Sequence, residues 1–89
     1  VAVDPPAGVI GDECGIIVAG LGEDGIVRVL ADCSLAGALP AQWAAAVADA
    51  AHAWSADRVV AEANQGGAMV ESVLRAADHA LPVKLVHAS

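Results

Sequence analysis

The chain has no phenylalanine and no tyrosine, one methionine, two cysteines and two tryptophans among its 89 residues. A core must therefore be assembled from Val, Ala, Ile and Leu, with the indoles as its only large pieces. A chain this short buries only about 60 to 65% of its unfolded surface. Basic residues are scarce as well: four Lys and Arg stand against eleven Asp and Glu, for a net charge of −7. Grip on phosphate comes from Lys and Arg, so this balance argues against a broad nucleic-acid-binding face within these residues. His52, His79 and His87 show neither metal-ligand spacing nor a partnered cysteine, which argues against a zinc site and a Cys/His nucleophile. The longest apolar-or-glycine run is "CGIIVAGLG", far below the roughly 20 residues of a membrane span, and no signal peptide is visible. The expectation is a soluble, intracellular protein with no membrane partner.

What is present is an alternation of short apolar strands and alanine-rich helices. "VAVDPP" reads as a strand ended by two prolines, each lacking a backbone donor, which leaves Asp4 at the strand tip. "CGIIVAGL" and "GIVRVLADC" read as two more strands joined by "GEDG", whose glycines accept the positive φ of a tight hairpin. Centring that hairpin between Glu23 and Asp24 sets Ile17 opposite Leu30, Val18 opposite Val29 and Cys14 opposite Cys33, both thiols free. Pro40 suits the first turn of a helix in which Trp43, Val47, Ala50 and Trp54 share one face, both tryptophans being expected in the core. His52 is expected on the surface of this helix. "DRVVAEA" follows as a buried strand and "NQGG" as a turn. "AMVESVLRAADHA" is a second helix with Val70, Val73, Leu74 and Ala77 inward, and "PVKLVHA" a last strand. The expected fold is a single α/β domain with a mixed sheet in the order βββαβαβ.

A right-handed crossover after three antiparallel strands lays the fourth strand parallel to the first. Asp4 and Glu62 then end neighbouring strands about 4.8 Å apart and face one location beyond the carboxyl edge of the sheet. Two acids held so close either share a proton or hold a divalent cation, and hard oxygen ligands suit Mg²⁺ or Mn²⁺. Against this, an Asp before Pro is commonly only a turn former. Glu62 resists the bland explanation better, because glutamate after the apolar run "VVA" is a poor strand former and is costly to bury unpaired.

"ADRVVAEANQGGAMVESVLRAAD", with "VAVDPP" and "DECGIIVAGL" before it and "LPVKLVHAS" after it, resembles the nuclease domain of the large terminase subunit of tailed bacteriophages and gene transfer agents. The resemblance spans nearly the whole chain in order, and "AEANQGG" after a strand is its most specific part. It implies a ribonuclease H-like fold and an endonuclease that cuts concatemeric double-stranded DNA with two Mg²⁺ or Mn²⁺ ions about 3.5 to 4 Å apart. It further implies Asp4 as the first catalytic carboxylate and bridging metal ligand, and Glu62 as the second. A third carboxylate, like the family's basic stretch, is expected beyond Ser89, so that residues 1–89 form a C-terminally incomplete domain that is inactive alone. The implied partners are an ATPase domain, a small terminase subunit and a portal; the implied setting is the cytoplasm of a bacterial host.

The remaining polar residues keep two readings each. Asn64 and Gln65 steady the loop or a phosphate, or simply turn and cap it. Asp12 and Glu13 offer an outer metal contact or a solvated loop. Two alternatives to the terminase reading stay open: a junction resolvase or integrase-like nuclease of the same fold, and a non-catalytic fragment acting as an assembly surface.

Overall fold

The computed structural model describes residues 1–6, 12–62 and 67–87. Its elements in chain order are β1 (Ala2–Asp4), β2 (Glu13–Leu21), β3 (Val27–Asp32), β4 (Leu35–Ala36), α1 (Pro40–Ala53), β5 (Val59–Glu62), α2 (Gly67–Ala77) and β6 (Val83–Val86). The main sheet runs β3-β2-β1-β5-β6, with the two-residue β4 adding to the start of β2. Strands β1, β2 and β3 form an antiparallel meander, whereas β5 and β6 run parallel to β1. This is the mixed α/β sheet that the alternation of elements led us to expect, with β4 as its one addition.

Both helices pack on one face of the sheet. Val3, Cys14, Ile16, Val59 and Ala61 point into a common core with Trp43, Ala44 and Val47 of α1 and Val70 and Leu74 of α2. Trp43, 1% exposed, is the largest fully buried side chain, and small alanines around it let α1 lie close to the strands. Pro40 occupies the first turn, where its missing N–H costs nothing, and the Gln42 side-chain carbonyl accepts the Leu39 N–H at 2.7 Å. At the other end Ser55 adopts φ +51°; its N–H bonds to His52 O and that of Ala56 to Ala51 O, the paired bonds of a Schellman stop. Trp54, placed in the core by spacing alone, is 47% exposed because it caps α1 rather than continuing it. Ala77 is likewise exposed, at the last position of α2.

The hairpin register differs from expectation. Gly22 donates to Ile26 O at 3.0 Å and Gly25 to Gly22 O at 2.9 Å, with Gly25 at φ +78°, so the loop holds three residues and not two. That shifts the pairs to Leu21 with Val27 and Gly20 with Arg28; a bulge between Val18 and Ala19 then shifts them again, giving Val18 with Ala31 and Ile17 with Asp32. Leu30 is the extra residue, and Gly20 makes room for it: a Cβ there would lie 2.9 Å from Leu30 Cδ1. Cys14 consequently pairs with Leu35, while the Cys33 N–H bonds to Ile16 O at 2.8 Å. The two thiols are free and stand diagonally, not opposite each other. As an edge strand, β3 is exposed along most of its length, with Val27 and Val29 67% and 68% exposed.

Candidate active site

The parallel register Ala2 with Val60 and Val3 with Ala61 carries on, one residue further, to Asp4 beside Glu62. Val3 and Ala61 point into the core, so strand alternation turns Asp4 and Glu62 to the helix-free face. There they line a cleft of about 440 Å³ together with Glu13, Asp32 and Ser34, over an apolar floor that includes Ile17 and Val60. Asp4 is exposed and Glu62 half-buried.

Each wall has a local cause. Asp4 pairs with Gly15 of β2, whose missing side chain leaves the flank of the carboxylate open. Asp32 ends β3 in an Asx turn: its Oδ1 accepts the Ser34 N–H at 3.0 Å, and bonds from the Ser34 hydroxyl and backbone hold its carboxyl below the usual range. Ser34 Oγ in turn accepts the Ile16 N–H at 3.0 Å, stitching this corner to β2. Behind the site, burial and the nearby Asp4 charge push the Cys14 thiol up to about 11.

Of the residues singled out in the sequence, Asp4, Glu62 and Glu13 meet in the cleft. Asp12 does not line it; it is exposed before β2, where its carbonyl accepts the Gly37 N–H. Asn64 and Gln65 lie outside the described residues. Sequence reasoning missed Asp32, Ser34 and Gly15. The signal for Gly15 was present: glycine inside a strand marks a close approach by another backbone or a ligand. That for Asp32 and Ser34 was not, since their place depends on the bulge.

As a donor set, two adjacent carboxylates suit a hard divalent cation that keeps several waters. Among the described residues, no group of three or more His, Cys, Asp or Glu is arranged to hold a metal ion. The fit is therefore to a weakly held, largely hydrated cation. Charge around the cleft is mainly negative; of the cations, Arg28 is paired with Asp24 and Arg75 with Glu71, and Lys84 lies exposed on β6.

A mixed sheet whose first strand is flanked by an antiparallel and a parallel neighbour, with acids at two adjacent tips, defines a ribonuclease H-like domain. The family model described as "Terminase RNaseH-like domain" matches residues 1–89, and the chain belongs to that family. No curated protein and no solved structure matches it.

Proposed function

We propose that this domain is a metal-dependent endonuclease of a DNA-packaging terminase, acting on phosphodiester bonds of concatemeric double-stranded DNA. The observation that supports this most is the parallel register of β1 and β5, which sets Asp4 beside Glu62 on the open sheet face. Asp4 and Glu62 would hold Mg²⁺ or Mn²⁺ through carboxylate oxygens. Such a cation supplies Lewis acidity that activates water and offsets charge on a phosphate. The chain's own work is to present two oxygens from rigid strand ends, to keep the floor of the cleft apolar, and to anchor the Asp32 corner through Ser34. An ATPase domain, a small subunit and a portal would supply DNA movement and placement, and DNA itself would be gripped by the basic stretch that the family resemblance implies beyond Ser89.

One observation favours a second reading, that of a scaffold unit without hydrolytic activity: the described residues lack a third ligand at the site. Mn²⁺ binding separates the two. Paramagnetic broadening should centre on residues around Asp4 and Glu62 and disappear in Asp4→Asn; broadening unchanged by that substitution would discard the nuclease reading.

A further inference from the structure

Gly15 occupies the position directly across from Asp4 in the β1–β2 ladder. An ideal Cβ built on it would touch Asp4 Cβ at 3.4 Å and Asp4 O at 3.9 Å. Ordinary opposed residues in an antiparallel pair keep their Cβ atoms about 4.5 to 5.5 Å apart. The two strands approach more closely here than an ordinary opposed pair, and a side chain longer than Cβ at position 15 would extend into the cleft beside Asp4. Gly15 itself lines the cleft, between Asp4 on one strand and Ser34 beyond β2 on the other side.

Glycine weakens a strand, since it costs backbone entropy and packs nothing. Position 15 nevertheless lies in the middle of the sheet, between Cys14 and Ile16, both buried. On stability alone a β-branched residue would serve better there on the solvent side. What glycine provides instead is space: it leaves the β2-facing flank of Asp4 uncovered, the side on which a cation bound by Asp4 and Glu62 would keep its water shell.

We infer that Gly15 is a positioning residue for the Asp4 carboxylate, keeping open the flank through which a hydrated divalent cation reaches it. The inference rests on the metal-binding reading of Asp4 and Glu62 given above. It predicts a graded effect of side-chain size. Gly15→Ala adds only the atom that fits in contact with Asp4 Cβ, whereas Gly15→Val adds two more that take up room in the cleft beside Asp4.

The experiment is a titration of the ¹⁵N-labelled chain with Mn²⁺ alone, following broadening of the Val3 and Ala61 amides, in the unsubstituted protein, Gly15→Ala, Gly15→Val and Asp4→Asn. The Trp43 indole N–H, buried on the opposite face, reports the fold. Gly15→Ala should stay within about threefold of the unsubstituted affinity, and Gly15→Val should lose about tenfold or more with the Trp43 signal unmoved, as expected when a ligand's surroundings are disturbed. If Asp4→Asn abolishes binding but Gly15→Val binds normally, this inference falls and the metal reading stands. If the unsubstituted chain does not bind, or Asp4→Asn binds equally well, both fall together. Should Gly15→Val disturb the Trp43 signal, Gly15→Ser decides: reduced affinity supports the inference, and unchanged or raised affinity overturns it.

Discussion

His52 Nε2 lies 2.6 Å from Asp78 Oδ2, so the last turn of α1 is tied to the residue that follows α2. Asp78 also accepts the Ala80 N–H at 2.9 Å, and that bond, followed by the one to His52, holds its carboxyl below the ordinary value. A carboxyl whose folded pKa is depressed stabilises the fold above its unfolded pKa of about 3.9, and that contribution is lost as pH falls through the folded value. Asp78→Ala should therefore lower the melting temperature at pH 6, and the gap to the unsubstituted chain should narrow by pH 3. Melting curves followed by circular dichroism check this; a gap that stays constant across that range would refute the account of Asp78 as a stabilising carboxylate.

Cys14 should resist alkylation. With its thiol pushed up to about 11 and its side chain buried, about one part in a thousand is thiolate at pH 8. Iodoacetamide at that pH should label Cys33 first and reach Cys14 only when denaturant is added. Peptide mass spectrometry reads the order, and equal labelling of both in the native chain would contradict the packing of β2 against α1.

The two tryptophans should separate sharply. Trp43→Ala removes the largest fully buried side chain and should cost about 3 to 5 kcal/mol, a large share of the roughly 5 to 15 kcal/mol that holds a domain folded. Trp54→Ala, at a half-exposed helix cap, should cost distinctly less. Urea titrations of the two variants give the comparison, and equal losses would mean that Trp54 packs far better than its exposure implies.

Ser55 offers a gain. It holds a left-handed φ of +51° at the stop of α1, a conformation that disfavours any residue with a Cβ. Replacing it with glycine should raise stability by about 0.5 to 1 kcal/mol, net of the entropy that glycine adds to the unfolded chain. A Ser55→Gly variant that melts lower than the parent would show that the serine side chain contributes more than the backbone strain costs.

Cleavage of DNA by residues 1–89 should be undetectable. Two divalent ions need enough anionic ligands to hold them against their mutual repulsion, and the described residues supply no group of three. A net charge of −7 also slows encounter with DNA. Supercoiled plasmid in Mn²⁺ should stay intact over a long incubation; nicking abolished by Glu62→Ala would show that Glu13 or Asp32 completes the site.

The placement of Asp4 beside Glu62 was legible in the sequence because it depends on topology, and topology is tightly constrained: once a helix intervenes between strands of one sheet, a right-handed parallel crossover is nearly forced. The walls of the cleft were not legible, because they depend on register. One residue in the Glu23–Asp24–Gly25 loop and one at Leu30 together move the partners of β2 from Val18 back towards its start by two places, which is what brings Asp32 across from Ile17 and carries Cys33 away from Cys14. Neither shift leaves a hydrophobic pattern that differs from the simpler pairing. Trp54 was misplaced for a related reason: helical spacing continues arithmetically past Ala53, but the backbone does not.

Among the described residues β3 ends the sheet, and this edge also bears on how the protein behaves in solution. An edge strand flanked by exposed Val27, Val29, Leu21 and Ile26 forms a surface that adheres to any similar surface it meets, and mutual charge repulsion between molecules is what keeps such encounters brief. That repulsion vanishes near the isoelectric point of about 4.5. Turbidity and light scattering should therefore rise steeply in acetate buffers and with added salt, and a single lysine in place of Val29 should restore clarity at the same pH.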